Sequence, residues 1–107
     1  MNKVSLVGNL TKDAEFPSTS DGKTFMTLRI AVNHRTKEGK EETLYMDVTC
    51  FGYLAEYGQG VGLSKGDRVV VEGRLQERSW VDNNQNKRSS MCVLASHLYK
   101  CETISRM

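Results

Sequence analysis

Residues 25–32, Phe-Met-Thr-Leu-Arg-Ile-Ala-Val, form the most regular stretch of this sequence. Apolar side chains recur there at every second position: Met26, Leu28, Ile30 and Val32. The alternate positions hold Phe25, Thr27, Arg29 and Ala31. A period of two is typical of a strand with one buried face, because successive side chains point to opposite sides of a sheet. The stretch therefore predicts a β-strand that packs one face on a core.

The same period predicts four further strands. In chain order, we expect them at residues 3–10, 43–51, 68–80 and 87–99. The apolar face of the third strand would hold Leu44, Met46, Val48 and Cys50. In the fourth strand, Val69, Val71 and Leu75 are expected to face inward, and Gly73 between them predicts a bulge or a sharp bend.

Polar and glycine-rich segments predict the connections between these strands. Turn-forming residues occupy 13–23, a polar loop is expected at 34–42, and a hairpin loop at 82–86. Residues 53–63 can form a helix, which should be short or frayed because each of its glycines weakens it by up to about 1 kcal/mol relative to alanine. Three strands, a helix and two strands are the plan of the OB fold. We therefore predict an all-β protein, a five-stranded Greek-key barrel with one short helix between strands three and four.

The composition fits one small globular domain. The chain has 107 residues, of which 26% are charged and 38% hydrophobic, with a net charge of +2. Such a charge permits a nucleic-acid partner without requiring one. We expect the OB-fold domain to span residues 1–101, and residues 102–107 to be a short C-terminal remnant without an acidic tail.

Motifs for metal binding, catalysis or membrane insertion are not found in the sequence. Cys50, Cys92 and Cys101 lack metal-ligand spacing, and Cys50 and Cys92 are expected to pack as small strand residues in a reducing, cytoplasmic compartment. His34 and His97 have no ligand partners at suitable spacing. No apolar run is long enough to cross a membrane, and no secretory segment is predicted. The sequence thus predicts no cofactor, no metal and no enzymatic activity.

Aromatic and basic side chains share the strand faces that the predicted core leaves free. On the fourth strand, this face holds Arg74, Gln76, Arg78 and Trp80. On the third strand, it holds Tyr45 and Phe51. Rings that stack on bases and cations that meet phosphates are what binding to a single nucleic-acid strand requires. The pattern predicts a surface for single-stranded DNA.

Four further basic residues are candidates for the same surface. Arg29 points away from the apolar face of its strand, and Lys87 and Arg88 lie across the second hairpin from Arg78. Arg35 belongs to the first polar loop, where glutamates are interleaved with the basic residues. The charges of this loop are also explained by its exposure to solvent alone. Together with the aromatics, these residues could form a basic track along the strand.

Some of these residues also have a purely structural interpretation. Phe51 is equally consistent with closing one end of a small barrel, and Tyr45 with cross-strand packing. Met46 fits either the core or a subunit interface. Trp80 fits a binding role best, because it lies at a strand end beside a polar loop and follows Arg78.

Three segments resemble bacterial single-stranded DNA-binding proteins. Residues 1–10, Met-Asn-Lys-Val-Ser-Leu-Val-Gly-Asn-Leu, are similar to the start of that family. Residues 65–75, followed by Arg78 and Trp80, resemble its fourth strand. Residues 51–56 resemble its passage from the third strand into the helix. The resemblance extends over residues 1–100 in the same order.

This resemblance implies an OB fold that assembles as a homotetramer, with a dimer as the alternative. It also implies base stacking on Tyr45, Phe51 and Trp80; Tyr45 stands where many members have Trp, and Thr36 where the family has a further aromatic. Many members end in a flexible acidic tail that recruits replication and repair enzymes. Because this sequence has no acidic tip, we expect either a shortened protein or one without that docking function.

The predicted function is sequence-independent binding and protection of single-stranded DNA during replication, recombination and repair. The alternative is a primosome-type OB-fold accessory protein that acts mainly through protein contacts. A structural subunit whose exposed aromatics form protein interfaces is a third interpretation.

Overall fold

Five strands and one helix make up the computed structural model, which describes residues 1–17 and 22–102. In chain order they are β1 (Val4–Leu10), β2 (Phe25–Arg35), β3 (Glu41–Phe51), α1 (Tyr53–Val61), β4 (Arg68–Val81) and β5 (Lys87–Lys100). The strands close into a barrel in the order β1-β2-β3-β5-β4. The predicted fold class, a five-stranded barrel with one short helix between β3 and β4, is confirmed.

Most neighbouring strands of the barrel are antiparallel. β1 runs along β4 from Val4 opposite Gly73 to Asn9 opposite Arg68. The closure between β3 and β5 is parallel and short, with Val48 opposite Val93 and Thr49 opposite Leu94. This parallel contact brings the β4–β5 hairpin beside the β2–β3 hairpin, although the two are distant in sequence.

The core consists of the alternating apolar residues that the sequence indicated. Met26 and Ile30 are completely buried, and Leu28 is 2% exposed. Residues from the four remaining strands, from the helix and from the segment after it complete the cluster: Leu10, Val48, Cys50, Leu54, Ala55, Leu63, Val69, Val71, Val93, Ala95 and Leu98. The buried positions of Cys50 and Cys92 agree with their predicted packing role, and all three cysteines are free thiols.

The β2–β3 hairpin is longer than predicted, because the strands continue into the segment that we expected to be a loop. Arg35 lies opposite Glu41, so opposite charges face each other across the strands, and His34 lies opposite Glu42. The turn is closed at Thr36, whose N–H donates to the carbonyl of Lys40 over 2.8 Å. The hairpin therefore extends beyond the barrel, which leaves Leu44 exposed although it belongs to the apolar face of β3.

The predicted irregularity at Gly73 is confirmed as a shift in register. Glu72 lies opposite His97, whereas Gly73 lies opposite Ala95, so Ser96 is the extra residue on β5. A Cβ atom on Gly73 would lie 2.9 Å from Cα of Ala95 and closer still to the carbonyl oxygen of Leu94. Because the strands approach each other so closely, only glycine fits at this position.

The inward position predicted for Leu75 is only partly correct. Its strand partner Val93 is buried, yet Leu75 itself is 37% exposed. From Arg74 to Val81 every residue of β4 is exposed, because this half of the strand runs past the end of the barrel. The β4–β5 hairpin is therefore a solvent-exposed arm.

The helix α1 has nine residues, in agreement with the short helix expected from its glycines. It ends at Val61 and is capped by Gly62, which has a left-handed backbone (φ 67°) and donates its N–H to the carbonyl of Gly58. Leu54 and Ala55 pack on the barrel.

No helix in the described part of the chain has the length and apolarity to span a membrane. Part of the predicted turn-rich segment, 18–21, and residues 103–107 of the predicted C-terminal remnant lie outside the described residues.

Candidate nucleic-acid interface

The outer face of β2 and β3 holds two exposed aromatic rings, Tyr45 near the middle of β3 and Phe51 at its end. Ala31 lies opposite Tyr45, and Phe25 lies opposite Phe51. Tyr45 is 54% and Phe51 51% exposed, so neither ring belongs to the core. Six residues separate them on β3, which is about 20 Å along a strand. We call this surface the β2–β3 face.

One arginine connects two other side chains of the β2–β3 face. Nη1 of Arg29 donates to Oδ1 of Asp47 over 2.9 Å. The guanidinium carbon of Arg29 lies 5.5 Å from the centre of the Tyr45 ring. A cation over an aromatic ring is attracted by the negative ring face. Arg29 is therefore held by Asp47 in a position that supports Tyr45.

A second pairing of arginine and aromatic ring lies on the β4–β5 hairpin. Trp80 is 45% exposed, and the guanidinium carbon of Arg78 lies 6.0 Å from the centre of its ring. Trp80 lies opposite Arg88 across the hairpin. A depression of about 460 Å³ is lined by Trp80, Lys87 and Arg88 among others. This hairpin thus carries an exposed ring with three cations close by.

The tip of the same hairpin is ordered by Asp82. Its carboxylate accepts hydrogen bonds from Arg88 Nε and from the backbone N–H groups of Asn84 and Asn86, each over 2.9 Å. These bonds, with that of Arg88 contributing most, hold the pKa of Asp82 below its ordinary value. Arg88 is therefore anchored beside Trp80, and the predicted hairpin loop 82–86 is a defined turn.

A groove of about 220 Å³ joins the two surfaces. It is lined by Arg29 and Asp47 from the β2–β3 face and by Arg78 from β4, together with Lys12, Glu15, Leu28, Val48 and two threonines. We call it the central groove. The structure thus brings together Arg29 and Arg78, which lie on strands that are not neighbours in sequence, within one continuous surface.

The remaining predicted residues lie at the periphery. Arg35 shares the β2–β3 face with Arg29, six positions further along β2 and opposite Glu41. Arg74 lines a different cavity of about 510 Å³, beside Lys3 and His97 at the bulge, and not the central groove. The structure therefore brings Arg78 to the aromatics and leaves Arg74 apart from them.

Sequence reasoning missed three residues of this surface. The strand period placed Phe25 and Asp47 on the faces that the core leaves free, but it did not indicate that they belong to the candidate site. Lys12 lies after β1, in a segment without a pattern, and no sequence signal connects it to the central groove. In the described chain, no group of three or more His, Cys, Asp or Glu side chains could hold a metal ion.

A closed five-stranded barrel with one short helix between β3 and β4 defines the class of OB-fold proteins. The chain belongs to the single-strand binding protein family, whose model matches residues 1–101. The resemblance to bacterial single-stranded DNA-binding proteins is thereby confirmed.

Individual relatives support the same assignment. The chain is 40% identical over 101 residues to a single-stranded DNA-binding protein of Wolinella succinogenes, covering 91% of this chain and 62% of that protein. It is 38% identical over 102 residues to one of Deinococcus radiodurans, covering 92% of this chain and 33% of that protein. The chain thus spans between one third and about three fifths of the length of these relatives.

A solved structure shares the fold at lower sequence identity. The structure described as a Plasmodium falciparum SSB complex with single-stranded DNA superposes with a TM-score of 0.84 at 22% identity, covering 95% of this chain and 96% of that one. The similarity extends over almost the entire chain and supports the barrel topology.

Proposed function

We propose that this chain binds single-stranded DNA without sequence preference and protects it during replication, recombination and repair, without catalysing a reaction. The observation that carries the proposal is the pairing of Tyr45 with Arg29 and of Trp80 with Arg78, on exposed faces that share one groove. The names of the relatives, which are single-stranded DNA-binding proteins, agree with it. In this role the protein would act in the cytoplasm, at the nucleoid.

The chemistry of the two pairs explains why binding would not depend on sequence. Every base offers a π-face, and each stacked base contributes about 1–3 kcal/mol. The arginines meet phosphates, which are the same at every nucleotide. Tyr45, Phe51 and Trp80 would thus hold bases, while Arg29 and Arg78 would neutralise the backbone between them.

The peripheral cations would extend this track. Lys87 and Arg88 flank Trp80, and Arg35 continues the line of Arg29 along β2. Arg74 lies beside Lys3 at the bulge. It would contact the DNA only where the DNA strand continues past the β4–β5 hairpin. We assign phosphate contacts to all four, with Arg74 the most distant from the rings.

Self-association is part of the proposal: a homotetramer, with a dimer as the alternative. Within the described chain, β2 pairs with β1 only at Asn9 and Leu10, so residues 4–7 of β1 present an open edge. An apolar row of Val7, Val70 and Tyr99 crosses the adjoining outer face. The unpaired backbone groups of an open edge can pair with a strand of another subunit. The side chains of Val7 and Tyr99 are 50% and 54% exposed, so a partner could cover them.

Light scattering on the wild type and on Val7→Glu tests this self-association; a monomeric wild type would contradict it.

The experiment that tests DNA binding is a titration with oligo(dT), following the fluorescence of the single tryptophan, Trp80. We expect strong quenching by the single strand, weaker binding at higher salt, and little response to duplex DNA. Stacking on the ring causes the quenching, and displacement of counterions causes the salt effect. No response to any nucleic acid would contradict the proposal and favour a function through protein contacts.

A further inference from the structure

Phe25 forms a pair with Phe51 at the end of the β2–β3 face. The two ring centres are 5.8 Å apart and the ring planes are tilted by 35°. Phe25 lies opposite Phe51 in the strand register, so both rings leave the sheet on the same side. Phe25 is partly exposed, whereas its sequence neighbour Met26 is completely buried. The end of the face is therefore a platform of two rings.

A cavity continues this platform away from the central groove. It has a volume of about 310 Å³ and is lined by Phe16, Pro17, Lys23, Phe25 and Gln59 among others. We call it the end cavity. Phe16 is 40% exposed and contributes a third ring.

Backbone hydrogen bonds hold Phe16 in this place. The N–H of Glu15 donates to the carbonyl of Thr27 over 3.1 Å, and the N–H of Thr27 donates to the carbonyl of Glu15 over 2.9 Å. This bridge fixes the segment before Phe16 along β2. The lining of the end cavity is therefore attached to the strand that carries Phe25.

From this continuity we infer that the DNA path extends beyond Phe51, with one base stacked on Phe25 and the next part of the strand in the end cavity. The inference rests on the proposed function and adds to it a binding site at Phe25, Phe16 and Lys23. Phe25 touches Phe51, so a DNA strand with one base stacked on Phe51 can place its next base on Phe25 without leaving the protein surface.

The chemistry of the end cavity fits a nucleotide better than an apolar peptide. Aromatic rings supply stacking surfaces, the Lys23 ammonium suits a phosphate, and the Gln59 amide can bond to base edges.

Photocrosslinking to an oligonucleotide that carries 5-iododeoxyuridine tests the inference on the wild-type protein. Trypsin cleaves after Lys and Arg, which separates the ring sites into four peptides: 13–23 with Phe16, 24–29 with Phe25, 41–65 with Tyr45 and Phe51, and 79–87 with Trp80. We expect crosslinks on 24–29 and on 13–23, in addition to those on 41–65 and 79–87. The first two peptides report the extension, and the last two report the proposed function.

Two variants at one position provide the affinity test. Phe25→Leu keeps an apolar side chain without a ring and should weaken binding of a long oligo(dT) by about fivefold or more, as the loss of one stacked base requires. Phe25→Tyr keeps the ring and should bind like the wild type. Equal thermal unfolding midpoints would establish that the Phe25→Leu protein is folded.

The outcomes separate the two claims. Crosslinks confined to 41–65 and 79–87 would overturn the extension and leave the proposed function intact, and so would wild-type affinity of Phe25→Leu. Absence of crosslinks on all four peptides, together with unquenched Trp80, would overturn the proposed function and the extension with it.

Discussion

Arg29 contacts Tyr45 and Asp47 at once: its guanidinium carbon lies 5.5 Å from the ring centre, and its Nη1 lies 2.9 Å from the carboxylate. Asp47 therefore has two opposite effects on the proposed DNA surface. It fixes the arginine over the ring, and it places a negative charge where phosphates are expected. Because the ion pair is solvent-exposed, it contributes only about 0–1 kcal/mol to folding. For DNA binding, we expect the repulsion of phosphates to be the larger of these two effects.

Replacement Asp47→Asn should strengthen binding to oligo(dT) by about 0.5–1 kcal/mol, the size of an exposed charge interaction. Because Asp47 no longer offsets the charge of Arg29, the phosphate contact of this arginine should strengthen, which steepens the dependence of log K on log salt by up to about 0.7, the value for one full phosphate contact. Fluorescence titrations at several salt concentrations measure both. Glu56→Gln, which removes a negative charge from the exposed side of α1, is the control and should change neither. Weaker binding by folded Asp47→Asn would show that positioning of Arg29 outweighs the repulsion.

Replacement Trp80→Ala should weaken binding by about 1–3 kcal/mol, since one stacked base is lost. Trp80→Phe, which keeps a smaller ring, should lose less. Because both variants lack the fluorophore, anisotropy of a labelled oligonucleotide is the appropriate measurement. Normal affinity of Trp80→Ala would show that the exposed ring on the β4–β5 hairpin does not contact DNA.

Replacement Gly73→Ala should destabilise the barrel by about 1–3 kcal/mol, the usual cost of overpacking. The added methyl group would press on the backbone of Leu94 and Ala95, which cannot move away without breaking the bulge. Gly60→Ala is the matched control: it lies in α1 with nothing within 4 Å of the added carbon, and should stabilise by up to about 1 kcal/mol. Urea unfolding measures both. Equal stability of Gly73→Ala and the wild type would contradict the close strand contact.

The thiols should differ in reactivity. Burial raises the pKa of Cys50 to about 12, so almost none of it is thiolate at neutral pH, and Cys92 is buried as well. Cys101 is only half-buried. A thiol reagent at neutral pH should therefore modify Cys101 alone in the folded protein and all three cysteines after unfolding. Modification of Cys50 without unfolding would contradict the described core.

The sequence predicted the parts of the fold that depend on local pattern. The period of two at Met26, Leu28 and Ile30 identified buried positions directly, because a strand turns every second side chain to the same face. Gly73 indicated the bulge for a similarly local reason, because a residue without a side chain in the middle of a strand is typical of a bulge. The fold class followed from the order of these elements.

What the sequence did not predict depends on where the barrel ends. Leu44 and Leu75 follow the apolar period, yet both are exposed, because their strands continue past the core as hairpin arms. The approach of Arg78 to Arg29 depends in turn on the parallel contact between β3 and β5, which joins strands distant in sequence. Such contacts are set by the closed barrel as a whole.

Arg78 provides the test of the phosphate track in the central groove. Arg78→Ala should flatten the dependence of log K on log salt by about 0.7, because one phosphate contact is lost and its counterion is no longer released. Arg68→Ala is the matched control: Arg68 lies at the other end of β4, where its Nε donates to Oδ1 of Asn9 over 3.2 Å. It removes the same charge from the protein, so a general effect of net charge would appear equally in both variants. A salt slope that is unchanged in Arg78→Ala, or reduced to the same extent in both, would contradict a specific contact at Arg78.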